Sequence, residues 1–359
     1  MEIVARFRSI LLFFLISCAS PEIGDLINQR TKESFMETKS FPTYFTTTRR
    51  KKANSGVFCD TNAFGNMTAT SLYYGECPIS VPSKHAIGDI PWQNVGDRDS
   101  KFLLQDRKDW ERVDFFRGVS ILEAKELLVF VHGFNVNFDE AMVRGAQIRY
   151  DLKFQGPILV FSWPAGASES SIFSKMLLNN VYDANLEEAK QNQKLFLQFL
   201  EDLIQTEKRI HLLVHSMGHQ VVLPALVEFQ NKNPGKKLGE LVLNAPDFDK
   251  KEFQSIATSL ARSARRVTLY CSPGDNALLA SEKVNGAPRA GMCFRFPNID
   301  VINVNEVDAP GVAGLGHGYY AGRPILTDLY QVLLGVETEK RLFIRKSGPM
   351  NGENFVLRK

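Results

Sequence analysis

The sequence contains no C-x-x-C pair and no H-E-x-x-H string, which removes the commonest cysteine and helical zinc sites. No apolar run reaches the ~20 residues that a membrane-spanning helix needs. An excess of one charge is missing too: 43 lysines and arginines face 40 aspartates and glutamates, a net of +3. With no basic patch interleaved with aromatics, that balance excludes nucleic acid as a partner class. No internal repeat is evident, so solenoid architectures fall away. What is present is a chain of 359 residues, 44% apolar and with 26 phenylalanines. That suffices for one large core or two ordinary ones.

The start of the chain reads as an export signal. Arg6 and Arg8 form a basic beginning, residues 10–16 are a short apolar run, and Ser17 and Ala19 flank Cys18. Leu15-Ile16-Ser17-Cys18 resembles the lipobox of bacterial lipoproteins, which implies a lipid on Cys18 and attachment to a membrane. Ala19, where aspartate would retain such a protein at the inner membrane, implies the outer membrane facing the periplasm. The alternative is a non-lipidated signal and a secreted or periplasmic product. The expected organisation is a signal peptide at 1–17, a polar flexible tether at 18–52, a folded domain at 53–336 and a basic extension at 337–359.

Cys59, Cys77, Cys271 and Cys293 remain once Cys18 is set aside, an even number suited to an oxidising compartment. Cys59 with Cys77 and Cys271 with Cys293 are the local pairings. Sequence allows three connectivities, and four free thiols are also compatible with it.

Apolar runs at 127–131, 158–162, 210–215, 241–245, 267–271 and 301–307 read as buried parallel strands. Helix-period segments at 139–154, 186–204 and 220–229 separate several of them. Strand-like segments precede this block at 56–59, 71–81 and 110–116. Alternating strands and helices imply an α/β fold, a mostly parallel doubly wound sheet with helices on both faces.

The strand 210–215 runs into His215-Ser216-Met217-Gly218, the layout of a sharp turn that lifts a serine out of a sheet edge. In G-x-S-x-G the flanking glycines admit close packing; here Gly218 supplies the second and Val214 stands at the first. A serine hydroxyl there needs a base, an orienting acid and oxyanion donors. The loop His132-Gly133-Phe134 follows the strand 127–131, and its Phe134 N–H with that of Met217 suits an oxyanion hole. Of six histidines only His317 lies late enough in the chain for the order serine, acid, histidine. Two carboxylates follow strands, Asp275 after 267–271 and Asp247 after 241–245. Strand carboxyl ends are where ligands bind in open α/β sheets, so both are candidates.

His132-Gly-Phe-Asn135, Phe161-Ser-Trp-Pro164, His215-Ser-Met-Gly218, Ala245-Pro-Asp247, Ser272–Leu278 and Gly316-His-Gly318, with the block 74–82, resemble a bacterial α/β-hydrolase family of unassigned substrate. The resemblance spans roughly residues 57–334. It implies an esterase- or lipase-like fold with Ser216, Asp275 and His317 as triad, Asp247 being the alternative acid. His219 departs from the pattern, where asparagine is commoner. The expected activity is a serine hydrolase, acting through an acyl-enzyme on an ester or related acyl bond of a small molecule or lipid, with no cofactor. Transfer to an acceptor other than water is not separable from hydrolysis, and oligomeric state is not readable.

Two other readings compete. His211, His215 and His219 recur every four residues, which on a helix would present three imidazoles to a metal. Strand character through 210–214 argues against a shared face. A non-catalytic lipoprotein using the fold as a binding scaffold is the other.

Overall fold

The computed structural model describes residues 40–60, 62–90, 101–166, 175–307, 317–318 and 322–358, with 175–180 as backbone only. The signal peptide, Cys18 and most of the loop 311–318 therefore lie outside the described residues. β1 (Ser40–Lys51) and β2 (Phe64–Ser80) pair antiparallel. β3 (Leu103–Leu104) and β4 (Lys108–Trp110) cap the outer edge of β2. After α1 (Arg112–Ser120) the regular alternation begins with β5 (Glu126–Val131), α2 (Phe138–Asp151) and β6 (Ile158–Ser162). Next come α3 (Lys175–Gln191), α4 (Gln193–Leu203), β7 (Arg209–His215), α5 (Gly218–Lys232) and β8 (Leu238–Asn244). The rest is α6 (Lys250–Ser263), β9 (Ala264–Cys271), α7 (Asn276–Asn285), β10 (Asp300–Asn303), α8 (Arg323–Leu333), β11 (Ile344–Lys346) and β12 (Phe355–Leu357).

The strands form one sheet in the order β11-β12-β10-β9-β8-β7-β5-β6-β1-β2-β3, with β4 also on β2. From β1 across to β12 every neighbouring pair is parallel. This is the expected α/β class. Successive strand residues point to opposite faces, so a strand covered on both sides must be apolar at every position. In β5, Leu127, Val129 and Val131 join one core while Leu128 and Phe130 join the other. The first core is closed by Phe115 of α1, Phe196 and Phe199 of α4, Val222 of α5 and Phe253 of α6. The second is closed by Phe138 and Met142 of α2 and by Ile325 and Leu329 of α8. Each such large side chain contributes about 2–3 kcal/mol on leaving water.

Several elements differ from expectation. Residues 40–51, placed in the tether, are β1, inserted between β6 and β2 with Thr46, Thr47, Thr48 and Arg49 fully buried. Threonine is a good strand former; the Thr47 hydroxyl donates to the Ser162 carbonyl at 2.6 Å, whereas the Thr46 and Thr48 hydroxyls have no hydrogen-bond partner among the described residues. Of the segment expected at 56–59, only Phe58 makes a single bridge, to Asp106. Of the stretch 110–116, Trp110 ends β4 and the residues from Arg112 on are α1, because Phe115 and Val119 lie four apart and bury one helix face. The strand expected at 301–307 stops at Asn303. The basic end is part of the sheet: β12 pairs with β10, and Arg341 is buried against Asp328 at 3.0 Å.

Both local cysteine pairs are disulfides, Cys59–Cys77 and Cys271–Cys293. The second joins the end of β9 to the segment ahead of β10.

Candidate active site

The chain leaves β5 for β6 on one side and returns to β7 on the other. Such a switch point opens a crevice outside the carboxyl ends of the two strands. The His132-Gly133-Phe134 loop leaves β5 there, and Ser216 follows β7. Ser216 has φ 52°, in the left-handed region that costs a side-chain-bearing residue about 1–2 kcal/mol. Hydrogen bonds hold it. Its N–H donates to the Asn244 carbonyl at 3.0 Å, and its carbonyl accepts from the Asp247 N–H at 3.3 Å and the His219 N–H at 3.2 Å. The same carbonyl accepts from His219 Nδ1 at 2.6 Å. Burial drives the His219 pKa down to about 3, so the ring is neutral and its one proton serves this bond. Gly218 is required by approach, since a Cβ there would lie 2.5 Å from the His132 carbonyl. Val214 is an ordinary inward residue of the first core, in register with Val131 and Leu243.

Three predicted residues meet at this serine. His317 Nε2 is 2.8 Å from Ser216 Oγ, and His317 Nδ1 is 2.6 Å from Asp275 Oδ2. The other oxygen of Asp275 accepts the N–H groups of Ala277 and Leu278 at 3.0 Å each, capping α7. Asp275 is fully buried, whereas the His317 side chain is 17% exposed. The aspartate is therefore fixed by a helix N-terminus on one side and spends its second oxygen on the imidazole.

Asp247 is elsewhere engaged. Arg289 Nε donates to its Oδ1 at 2.9 Å, Ser281 Oγ to the same oxygen at 2.6 Å, and the Tyr182 hydroxyl to Oδ2 at 3.0 Å. Burial and the Asp247 charge push the Tyr182 hydroxyl up to about 12. The alternative acid thus braces the elbow through its N–H and does not reach His317 by its side chain.

The loop after β5 lies against the serine. A Cβ on Gly133 would sit 2.7 Å from Ser216 Cβ and 2.9 Å from His215 Nδ1. Among the described residues, neither the Phe134 N–H nor the Met217 N–H has a hydrogen-bond acceptor. Two donors left open beside a buried serine suit an oxyanion.

The three period-four histidines do not converge. His211 bonds Glu126 at 3.2 Å and accepts from the Glu240 N–H at 3.1 Å. His215 donates Nε2–H to the His317 carbonyl at 3.3 Å, its ring centroid 4.8 Å from that of His317. Burial, then the His317 and His219 rings, hold His215 well below the usual range. His219 turns to the Ser216 carbonyl. Among the described residues no three histidine, cysteine, aspartate or glutamate side chains could hold a metal ion. The spacing crosses from a strand to a helix, so no common imidazole face exists.

Sequence reasoning missed His215 as a strut of the His317 backbone, and Arg49 altogether. Arg49 is fully buried below the 132–136 loop, and burial lowers its pKa to about 9 against the opposing carboxylates of Asp139 and Glu140. Its signal was the β-branched and aromatic run 43–48 directly ahead of it.

A family described as alpha/beta hydrolase of unknown function (DUF900) matches residues 108–336, well over half of the chain. The match contains Ser216, Asp275 and His317 and leaves out β1 and β2. No curated protein matches the sequence.

Proposed function

The chain belongs to this α/β-hydrolase family of unknown function, and on that premise we propose that it is a serine hydrolase of carboxylic esters or related acyl bonds. The observation that carries the reading is the continuous contact from Ser216 Oγ through His317 to Asp275, at 2.8 and 2.6 Å. In the mechanism, His317 Nε2 takes the hydroxyl proton as Ser216 Oγ attacks the acyl carbonyl. Asp275 keeps the remaining imidazole proton on Nδ1 and stabilises the imidazolium. The N–H groups of Phe134 and Met217 receive the oxyanion, each donor being worth about 10²–10³ in rate. His317 then returns its proton to the leaving alcohol. Water resolves the acyl-enzyme with the same imidazole as base.

The test is labelling of the full chain with a fluorophosphonate probe beside Ser216→Ala and His317→Ala. Labelling of wild type that disappears in both variants is expected. Equal labelling of Ser216→Ala would remove the nucleophile assignment, and an unlabelled, folded wild type would turn the reading toward a binding scaffold.

A further inference from the structure

We propose that Arg49, outside the family match, is a positioning residue that aims the Phe134 N–H of the oxyanion hole. The proposal rests on the serine-hydrolase reading and deepens it.

A chain of donors runs from this cation to the loop. Arg49 Nε–H donates to Ser162 Oγ at 2.8 Å, and Ser162 Oγ lies 3.3 Å from His132 Nε2. His132 Nδ1 is 3.0 Å from the Gly133 carbonyl oxygen. A guanidinium can only donate. The Ser162 hydroxyl accepts from it and keeps one proton to give, with His132 Nε2 in reach. Burial and the Arg49 charge lower the His132 pKa to about 3, so the ring is neutral and carries one proton. The Gly133 carbonyl can only accept, so the 3.0 Å contact places that proton on Nδ1, although the Trp163 backbone also bonds the ring. With the proton on Nδ1, Nε2 is the acceptor for the Ser162 hydroxyl, and the relay runs from the cation to the carbonyl.

The last bond matters because the Gly133 carbonyl and the Phe134 N–H share one planar trans peptide unit and point opposite ways. Ser162 ends β6, Ser216 follows β7, and β5 lies between them. Drawing the carbonyl toward the β6 side presents the N–H to the β7 side, where Ser216 stands. Arg49 fixes the far end of the loop as well, donating Nη2–H to the Val136 carbonyl at 2.6 Å. Asn66 Oδ1 takes Nη1–H at 2.6 Å. The His132 ring stacks on Trp163 with centroids 5.4 Å apart and planes 6° from parallel, and Trp163 Nε1–H donates to the His132 carbonyl at 2.9 Å. The loop has little freedom while the cation is present.

The experiment compares Arg49→Met, Ser162→Ala and the double variant on p-nitrophenyl acetate, with phenylboronic acid as the tetrahedral inhibitor. In Arg49→Met, kcat is expected to fall about 100-fold, as for loss of an oxyanion donor. KM should stay within about threefold, since a donor used only in the transition state is lost. Boronate affinity should fall in step with kcat, and the pH midpoint should stay at its wild-type value. Ser162→Ala should lose about tenfold in the same pattern, and the double variant should be no worse than Arg49→Met, because the two act in one relay. A folded Arg49→Met with wild-type kcat, a loss confined to KM, or a shifted pH midpoint would overturn the proposal. Should Arg49→Met fail to fold, Ser162→Ala decides alone, and unchanged kcat and boronate affinity there overturn it. A wild type that neither labels nor hydrolyses brings down both readings; an active wild type matched by its variants brings down only this one.

Discussion

Replacing Asp275 by asparagine should separate catalysis from folding. Asp275 uses one oxygen for two backbone N–H groups of α7 and the other for His317. The asparagine carbonyl can keep the two N–H groups, since asparagine caps a helix as well as aspartate does. Its NH₂ then occupies the place of Oδ2, a donor facing a donor. The imidazole answers by moving its proton to Nε2, where it points at Ser216 and no longer accepts. The expected loss is about 10⁴ in kcat, or about 5.5 kcal/mol of transition-state stabilisation. Stability should change by only about 0.3–1 kcal/mol, the charge lost from a helix N-terminus. Asp247→Asn should do the reverse. Arg289 and Asp247 have side chains only 4% and 5% exposed, and breaking a buried ion pair from one side costs about 3–5 kcal/mol. The triad contacts would remain, so the folded fraction keeps its turnover. The assay is p-nitrophenyl acetate turnover together with the urea midpoint for each variant. Asp275→Asn with kcat within about tenfold of wild type would refute the tautomer argument. Asp247→Asn that loses kcat at full stability would make Asp247 the acid.

Gly133→Ala puts a methyl 2.7 Å from Ser216 Cβ, so the oxyanion loop must retreat; kcat should fall about 100-fold, and unchanged turnover would show that the loop is not part of the site. Burial depresses the folded pKa of His132, His215 and His219, so below about pH 6.5 the unfolded chain takes up protons that the folded chain refuses. Stability is therefore full above that pH and is lost as pH falls, by about 1.3 kcal/mol per histidine between pH 7 and 5.5. His219→Asn should shrink that loss by one histidine's share in urea titrations at the two pH values; an unchanged loss would mean that His219 is not held neutral. Cys18→Ser should abolish incorporation of radiolabelled palmitate in a bacterial host, whereas continued labelling would place the lipid elsewhere or nowhere in residues 1–18.

The strands β5 to β9 were legible because they are covered on both faces, which leaves an uninterrupted apolar run in the sequence. β1 was not legible, for the opposite reason. Its polar composition read as a tether, although residues 43–48 are β-branched and aromatic; what holds Arg49 in the core, its bond to Ser162 113 residues away, leaves no local pattern. The proposed order of Ser216, Asp275 and His317 was read from strand ends together with the serine–acid–histidine order of the fold. The choice between Asp275 and Asp247 could not be read that way, because both follow a strand by a few residues. What separates them is the packing of distant Arg289 and Tyr182 around Asp247. His215 was read as a neighbour of the serine, since its use depends on where the His317 backbone comes to rest.

Three strand ends at the site depart through a non-glycine residue in the left-handed region: Asn135 after β5 at φ 52°, Ser216 after β7 at φ 52° and Ala245 after β8 at φ 48°. Each costs about 1–3 kcal/mol and persists only where its surroundings over-determine it. A helix side chain holds the first, and the other two are held in series. The Asn135 N–H donates to Asn185 Oδ1 at 3.3 Å, the Ser216 N–H to the Asn244 carbonyl at 3.0 Å, and the Ala245 N–H to the Tyr270 carbonyl at 3.1 Å. Each strand end after β5 is thus tied to the next strand across the sheet. The Asp247 N–H closes the series by returning to the Ser216 carbonyl at 3.3 Å. Strain at a single turn would relax by moving that turn. Strain shared by neighbouring, mutually bonded turns cannot relax without shifting several strand ends together. That is the condition a serine, its base and its oxyanion donors need to keep one geometry through a reaction cycle.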